Sequence, residues 1–316
     1  MKLVLFNESK VGILMDDGVV DITQIIPKEY NTDGQSAMGF IINNMGDLSD
    51  ELNSLGETGP RISLSVVALQ APLPHPGKIL CMGGNFSESG HRKQGEMWGF
   101  IKSSESIIGP EDFVILPPDD ANIFHHEAEL VVIFGRAGEN VDEKNAMEYV
   151  FGYTCGIDVS ARIPTPQNAG LPTFREWRGL AAHKSFPTFA PVGPAIVTKD
   201  EISDPQNLNV RLRVNEELRG DFNTSDMAHS IAKSISFASR FESFSPGDVL
   251  YTGTNHQGLG AMQHGDKVAI EIDKVGRFSV YVRDDLGRKW QRGIDEETAE
   301  DMRNGTGGPG RRKRPI

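Results

Sequence analysis

Two glutamates that precede an apolar run are the residues best placed to do chemistry in this chain. Glu127 and Glu129 are two positions apart, and residues 130–134 (Leu-Val-Val-Ile-Phe) have the composition of a buried β-strand. Because side chains at i and i+2 of a strand point to the same face, both carboxylates would point to one place. Two like charges held together on an apolar strand are costly unless a cation neutralises them.

A third acid lies in a second segment of similar character. Asp158 belongs to Gly-Tyr-Thr-Cys-Gly-Ile-Asp-Val-Ser-Ala-Arg (152–162), in which most of its neighbours are small or apolar. Three carboxylates without a thiol or a paired imidazole form a hard oxygen site, which suits Mg²⁺ or Mn²⁺ and also allows Ca²⁺. The alternative is that Glu-x-Glu lies on an exposed strand, where water solvates both carboxylates.

Two lysines lie in runs that are too apolar for ordinary surface loops. Lys184 precedes Ser-Phe-Pro-Thr-Phe-Ala-Pro-Val, and Lys102 follows Phe-Ile. A lysine in such a run predicts a fixed positive charge for a carboxylate or an enolate, unless its stem packs while the ammonium reaches water. Gly253 and Thr254 follow a predicted strand, and they would offer a close backbone approach and a hydroxyl to a ligand.

A histidine in a polar loop is the candidate general base. His91 lies in the segment 83–96, and either Glu88 or Glu96 is the predicted carboxylate partner. An acid beside an imidazole fixes its tautomer and raises its basicity, which is what proton abstraction from water requires. The alternative is that His91 is simply an exposed residue of this loop.

The overall composition argues against several classes of partner. The 316 residues carry 32 Lys and Arg against 44 Asp and Glu, a formal net charge of −12, which disfavours nonspecific binding to nucleic acid or to an anionic membrane. No stretch approaches the roughly 20 apolar residues of a membrane span, and the N-terminal apolar run is too short for a signal peptide. Cys81 and Cys155 lie in apolar stretches and are predicted to be buried free thiols. We therefore expect a cytoplasmic protein with a small-molecule ligand.

The elements that must position these residues are mostly strands. A small N-terminal α+β domain is predicted over residues 1–71, because a proline-rich run follows it. Residues 72–290 form a catalytic domain of strands separated by turns rich in Gly, Pro, Asp and Asn. Residues 291–316 are a partly flexible tail, whose basic cluster (311–314) is expected to be solvated rather than bound to nucleic acid. The predicted fold class is mixed α/β and β-rich.

Individual elements are predicted from the hydrophobic periodicity. The N-terminal domain has three strands (2–6, 12–15 and 19–22) with a hairpin turn at 16–18, followed by a helix at 37–53. Strands of the catalytic domain are predicted at 79–82, 113–116, 128–134, 195–198, 208–214, 248–252, 267–272 and 276–282. Its helices are predicted at 143–148 and 227–241.

The order of these segments resembles the fumarylacetoacetate hydrolase family. The resemblance spans about Pro72 to Val282 and includes His126-Glu127-Ala128-Glu129-Leu130, Asp158-Val159-Ser160-Ala161-Arg162, Lys184–Pro194, Thr224-Ser225-Asp226-Met227 and Thr252-Gly253-Thr254. The resemblance implies a β-roll catalytic domain, a homodimer, and one Mg²⁺, Mn²⁺ or Ca²⁺ on the three acids.

The resemblance is weakest in the lid segment over the site. The family often has Asn-Tyr-x-x-His-x-x-Glu there, whereas this chain has Ser89 at the histidine position after Asn85-Phe86. His91 comes two residues late, and Glu96 is displaced as well. The metal site is therefore better supported by the sequence than the general base is.

The predicted function is a divalent-metal-dependent hydrolase of C–C bonds in acylpyruvates or other 1,3-dicarbonyl and oxo acids, acting through a metal-bound enolate. Oxo-acid decarboxylation (oxaloacetate type) and keto–enol isomerisation (2-hydroxyhepta-2,4-diene-1,7-dioate type) are alternatives, because all of these reactions pass through a metal-bound enolate. A working water-activating pair would favour hydrolysis. A rival from another class is a non-catalytic protein that binds a small acid.

Each candidate residue has an expected role in this chemistry. Lys184 would stabilise the developing oxyanion, and His91, with Glu96 or Glu88, would deprotonate the attacking water. The expected substrate contacts are Lys102, Arg162, Gly253 and Thr254.

Overall fold

The computed structural model describes residues 1–93, 95–163, 183–305 and 315–316. Within these residues the strands are β1 (Lys2–Phe6), β2 (Lys10–Met15), β3 (Gly18–Asp21), β4 (Arg61–Ile62), β5 (Leu69–Gln70), β6 (Ile79–Gly83), β7 (Trp98–Lys102), β8 (Ile107–Ile108), β9 (Phe113–Ile115), β10 (Ile123–His125), β11 (Ala128–Phe134), β12 (Val150–Ile157), β13 (Ser160–Arg162), β14 (Ala190–Thr198), β15 (Asn209–Val214), β16 (Glu217–Asn223), β17 (Val249–Tyr251), β18 (Lys267–Ile272) and β19 (Gly276–Arg283). The α-helices are α1 (Gly34–Thr58), α2 (Ile231–Ala238) and α3 (Glu296–Asn304).

One large, mostly antiparallel sheet provides the frame of the site. Its strand order is β4-β3-β2-β1-β14-β12-β11-β17-β6-β7, and two further strands pair with β1 and β14 at its side. The central strand β11 (Ala-Glu-Leu-Val-Val-Ile-Phe) is buried at every position, as expected for a strand that has apolar or β-branched residues on both faces. Strands β12 and β17 pair with β11 on its two sides, and these pairings fix its register.

A second sheet packs against the first and encloses the main hydrophobic core. Its order is β16-β15-β18-β19-β9, in which only the β19–β9 pair is parallel. Strand β15 alternates half-buried and buried residues, the period-two pattern of a sheet with one covered face. Buried side chains of both sheets, such as Leu130, Val132, Val210 and Ile270, belong to one cluster.

The N-terminal residues are joined to this frame rather than separated from it. Strand β1 pairs with β14 in antiparallel register, so the first sheet continues from the N-terminal strands into the centre of the protein. A second hydrophobic cluster contains Leu3, Ile13 and Met38 from the N-terminal residues together with Ile79 and Val131 from the rest of the protein. A domain boundary near residue 71 stays a prediction. The pairing of β1 with β14 and this hydrophobic cluster both join residues from the two sides of that position.

The predicted fold class, mixed α/β and strand-rich, is confirmed. The structure contains all eleven predicted strands with shifts at their ends, and the helix predicted at 37–53 lies within α1. The helix predicted at 227–241 is shorter (231–238), and 143–149 is a 3₁₀ helix.

Residues 296–304, which are predicted to be part of the tail, form α3 with an Asp295 cap. The basic cluster at 311–314 lies outside the described residues. In the part of the chain that the structure describes, no helix is long and apolar enough to cross a bilayer.

Helix α1 depends on a single N-terminal cap. The Asp33 carboxylate accepts a hydrogen bond from the Ser36 N–H at 2.9 Å, and this backbone hydrogen bond is the main reason why the pKa of Asp33 is lowered from 3.8. A lowered pKa means that the stabilisation is present above the ordinary pKa and is lost as the pH falls through the folded-state value.

We expect Asp33→Ala to lower the free energy of unfolding by about 1 kcal/mol at neutral pH, because it removes this cap. Urea denaturation measures the change, which should shrink as the pH falls below 3.8. Asp47→Ala, at an exposed position within the same helix, is the matched control and should leave stability nearly unchanged. Equal losses in both variants would show that helix charge, not the cap, is responsible.

Candidate metal centre and active site

The pairing of two central strands brings the first and third acids together. Strands β11 and β12 are antiparallel, with Ala128 opposite Ile157, so the residue before β11 lies beside the residue after β12. Accordingly, the Asp158 N–H donates to the Glu127 carbonyl at 2.8 Å. Glu129 lies two residues along β11, on the same face as Glu127.

All three carboxylates converge in the interior of the protein. Their oxygens lie within 4.8 Å of one another, and the residues Glu127, Glu129 and Asp158 are only 3%, 2% and 1% exposed. The exposed-strand alternative for Glu-x-Glu therefore does not hold in the structure. Three oxygen donors at this spacing have the chemistry of a site for a hard divalent cation.

Both lysines in apolar runs direct their ammonium groups to these acids. The Lys184 Nζ donates to Glu127 Oε2 at 2.6 Å and also to Asp158 Oδ2. The Lys102 Nζ donates to Asp158 Oδ1 at 2.5 Å. Neither ammonium reaches bulk water, because Lys102 is 2% and Lys184 7% exposed.

A third cation completes the set of positive charges. The Arg162 guanidinium donates to Glu127 Oε1 and, through Nε, to the His125 ring at 3.2 Å. The pairing of β10 with β13 sets this contact, since it places His125 opposite Ser160. The Ser160 hydroxyl also donates to Glu127 Oε1, at 3.1 Å. Glu127 is thus oriented by three side chains before any ligand binds.

The surroundings of the two glutamates shift their pKa values in opposite directions. Burial opposes ionisation of Glu127, but the charges of Lys184 and Arg162 outweigh it and hold the pKa of Glu127 well below its usual value. Glu129 is further from the cations, so burial, reinforced by the charges of Asp158 and Glu127, raises its pKa well above the ordinary value. Glu129 is therefore the carboxylate with the strongest need of additional positive charge.

The loop after β17 contacts Glu129 through its backbone. The Gly253 N–H donates to Glu129 Oε2 at 2.5 Å. Gly253 has φ +95°, and a Cβ at this position would lie 3.1 Å from Asn85 Cβ, so glycine is required both for its conformation and for the close approach. The Thr254 hydroxyl is buried and donates to the Asn255 carbonyl at 3.3 Å, so it is engaged locally.

The predicted general base is not assembled as expected. His91 and Glu96 are both exposed, whereas Glu88 is fully buried and binds a different histidine, with His256 Nδ1 2.6 Å from Glu88 Oε1. The pairing of His91 with Glu88 is therefore wrong: the Glu88 carboxylate turns inward to the loop after β17, where His256 lies three residues beyond Gly253.

The lid segment that carries Glu88 is held by side chains that the sequence did not single out. Asn85 is buried, accepts from the His229 N–H at 3.0 Å and donates to the Thr252 carbonyl at 3.0 Å. Asp226 accepts from the Ser89 N–H at 3.0 Å. The only sequence signals for these contacts are the positions of Asn85 and Asp226 in the segments that resemble the family.

Neither cysteine takes part in the site. Cys81 and Cys155 are both buried free thiols, as predicted. Burial raises the pKa of each thiol, so the thiolate that nucleophilic chemistry needs is disfavoured.

Comparison with known proteins agrees with this geometry. Residues 78–283 match the family model of the fumarylacetoacetate (FAA) hydrolase C-terminal domain. The chain therefore belongs to the fumarylacetoacetate hydrolase family. The matched range contains both sheets' central strands, the three acids and both lysines.

Relatives in this family cover almost the whole chain. A mitochondrial oxaloacetate tautomerase from Xenopus laevis is 35% identical over 88% of this chain and 89% of its own. A maleylpyruvate hydrolase from Aquipseudomonas alcaligenes is 31% identical over 90% of this chain and 99% of its own. The solved structure of maleylpyruvate hydrolase from Sphingobium sp. SYK-6 with manganese(II) and pyruvate is 32% identical, with a TM-score of 0.76 over 90% of this chain and 99% of that chain.

Removing one buried cation tests the electrostatics of the centre. We expect Lys184→Met to lower the free energy of unfolding by about 3–5 kcal/mol, because it leaves the charges of Glu127 and Asp158 with one cation fewer. Thermal and urea unfolding measure the loss, and added Mn²⁺ should recover part of it. Lys144→Met, whose side chain is 79% exposed, is the control. An equally small effect in both variants would contradict the proposed balance of charges.

Proposed function

We propose that this protein is a divalent-metal-dependent enzyme that hydrolyses the C–C bond of acylpyruvates or closely related oxo acids. The observation that carries the proposal is the meeting of three buried carboxylates within 4.8 Å, with two buried lysines bound to them. Similarity to a maleylpyruvate hydrolase solved with manganese(II) and pyruvate supports it.

The residues present fit a hard cation. The donor set is Glu127, Glu129 and Asp158, all carboxylates, and oxygen-only donors favour Mg²⁺ or Mn²⁺ and accept Ca²⁺. Burial, reinforced by the charges of Asp158 and Glu127, raises the pKa of Glu129, and a bound cation would favour its ionised form. Such an ion provides a Lewis acid that polarises an oxo group and stabilises an adjacent enolate.

The charge of the centre indicates the class of substrate. Once all three acids are ionised, their charges and those of three cations (Lys102, Lys184 and Arg162) cancel. A divalent ion would raise the net charge of this group by two. A 2-oxo acid that becomes an enolate carries one charge on its carboxylate and one on its enolate oxygen, so it matches the loaded centre.

The chain's own cations have distinct positions in this proposal. Lys184 lies between Glu127 and Asp158, where its ammonium orients both ligands and adds positive charge close to the reacting oxygens. Lys102 anchors the other oxygen of Asp158. Arg162, which we expected at the substrate, instead fixes Glu127 in the structure, so we propose a positioning role for it.

A second candidate reaction is keto–enol tautomerisation of oxaloacetate. It is favoured by the 35% identity to the oxaloacetate tautomerase from Xenopus laevis, and it passes through an enolate of a 2-oxo acid without breaking a C–C bond. Decarboxylation of oxaloacetate is a third reaction through that enolate. Hydrolysis alone requires an activated water.

A cytoplasmic location and a homodimer remain part of the proposal. They come from the composition and from the family resemblance, and light scattering in solution measures the second of them directly. Retention of all three acids and both lysines, in contact with each other, argues against a purely non-catalytic binding protein.

We expect the wild-type protein with Mn²⁺ to release pyruvate from acetylpyruvate (2,4-dioxopentanoate), and Glu129→Gln to lose both this activity and the calorimetric binding of Mn²⁺. A coupled lactate dehydrogenase assay measures pyruvate. Glu51→Gln, on the exposed side of α1, should behave as wild type. Tight Mn²⁺ binding without turnover of acetylpyruvate or oxaloacetate would instead favour the binding protein.

A further inference from the structure

A histidine–glutamate pair joins the lid segment to the loop after β17, whose Gly253 N–H binds Glu129. The Glu88 carboxylate contacts His256 twice: Oε1 is 2.6 Å from the ring Nδ1, and Oε2 accepts the His256 backbone N–H at 2.8 Å. The Glu88 side chain is 0% exposed and the His256 side chain 12%. A fully buried carboxylate that is bound twice to one residue is a fixed orienting group rather than a surface contact.

His256 is within electrostatic reach of Glu127. His256 is three residues beyond Gly253, whose N–H binds Glu129. The charge of His256 is one of the influences that lower the pKa of Glu127, after the larger contributions of burial, Lys184 and Arg162. His256 is thus half-buried and close enough to act electrostatically on Glu127, whereas His91 is exposed.

The hydrogen bond to Glu88 determines which ring nitrogen of His256 is available. A carboxylate can only accept, so Nδ1 carries the proton, and the lone pair of a neutral imidazole is on Nε2. Within the described residues no hydrogen bond to Nε2 is present. This tautomer and this free nitrogen are what a general base requires.

The lid backbone is strained where it delivers Glu88. Glu88 and Ser89 have φ +53° and +58°, a region that non-glycine residues seldom occupy and that surrounding contacts must maintain. Those contacts include Asp226, which accepts from the Ser89 N–H, and Gln257, whose side chain donates to the Glu88 carbonyl at 2.8 Å. The strained turn serves to place one carboxylate against one imidazole.

We propose that His256, held by Glu88, is the proton-transfer residue of this enzyme, in the role that the sequence assigned to His91. This inference rests on the hydrolase proposed above. It assigns catalysis to His256 and a positioning role to Glu88. The lid segment then holds the base through Glu88, and the base itself lies in the loop after β17.

The proton balance of hydrolysis follows from this assignment. The oxygen of a water molecule adds to the acyl carbon while one of its protons moves to Nε2 of His256. The bond between the acyl carbon and the methylene carbon then breaks, and its electron pair remains on the pyruvate enolate. The proton on Nε2 passes to the methylene carbon, giving pyruvate, and the second proton of the water ionises from the released carboxylic acid.

The variants His256→Gln, Glu88→Gln and Gln257→Leu separate catalysis from anchoring of the lid. We expect His256→Gln to lower kcat for acetylpyruvate by about 10²–10⁴-fold, with little change in KM and unchanged calorimetric binding of Mn²⁺. Glu88→Gln should give a smaller loss of kcat, because the imidazole remains but is held less firmly. Gln257→Leu removes one of the contacts that hold the turn at Glu88, and it should lower kcat by less than Glu88→Gln does.

A spectroscopic readout on the metal-free protein is independent of turnover. Long-range ¹H–¹⁵N correlation of the histidine rings should show His256, assigned by its absence in His256→Gln, with its proton on Nδ1, and Glu88→Gln should reduce the fraction of that tautomer. A proton on Nε2 in the wild type would overturn the assignment even if a variant failed to fold.

The outcomes distinguish this inference from the function on which it rests. If the wild type is active and His256→Gln keeps its kcat within a few-fold, or if His91→Ala is the variant that loses activity, the assignment to His256 is overturned and the hydrolase stands. If the wild type hydrolyses no acylpyruvate, the proposed function fails, and the role of His256 fails with it.

Discussion

The whole arrangement depends on the burial of three like charges at one point of the central sheet. Carboxylates removed from water repel each other strongly, and their burial is tolerated only where positive charge is supplied close by. Lys102, Lys184 and Arg162 supply it within hydrogen-bond distance of two of the three acids. Burial, reinforced by the charges of Asp158 and Glu127, raises the pKa of Glu129, and a divalent cation on the three carboxylates would favour its ionised form.

The sheet fixes this centre from several directions, which explains why it can be rigid. Glu129 lies in strand β11 with Glu127 directly before it, Asp158 directly follows β12, and the loop after β17 provides a backbone N–H for Glu129. All three strands are buried in the middle of the sheet. A site built at the ends of central strands is positioned more precisely than one built on loops alone, whereas Glu88 and His256 both lie on loops.

Much of this centre could be predicted from the sequence because its signals are local. The period of two places Glu127 and Glu129 on one face of an apolar strand, and lysines in apolar runs are expected to find buried anions. The pair of Glu88 with His256 could not be predicted in this way, since it joins residues 168 positions apart. The predicted pairing of His91 with Glu88 does not form, because the Glu88 carboxylate binds His256 from a turn in which Glu88 has a positive φ, and no residue type reveals such a turn. Helix α3 was missed because its low apolar content resembles that of a tail.

A diffraction experiment tests the central claim most directly. Crystals grown with Mn²⁺ and pyruvate should give an anomalous difference peak at bonding distance from carboxylate oxygens of Glu127, Glu129 and Asp158, with pyruvate oxygens on the same ion. A manganese peak that lies elsewhere, with the three carboxylates bound only to Lys102, Lys184 and Arg162, would contradict the account.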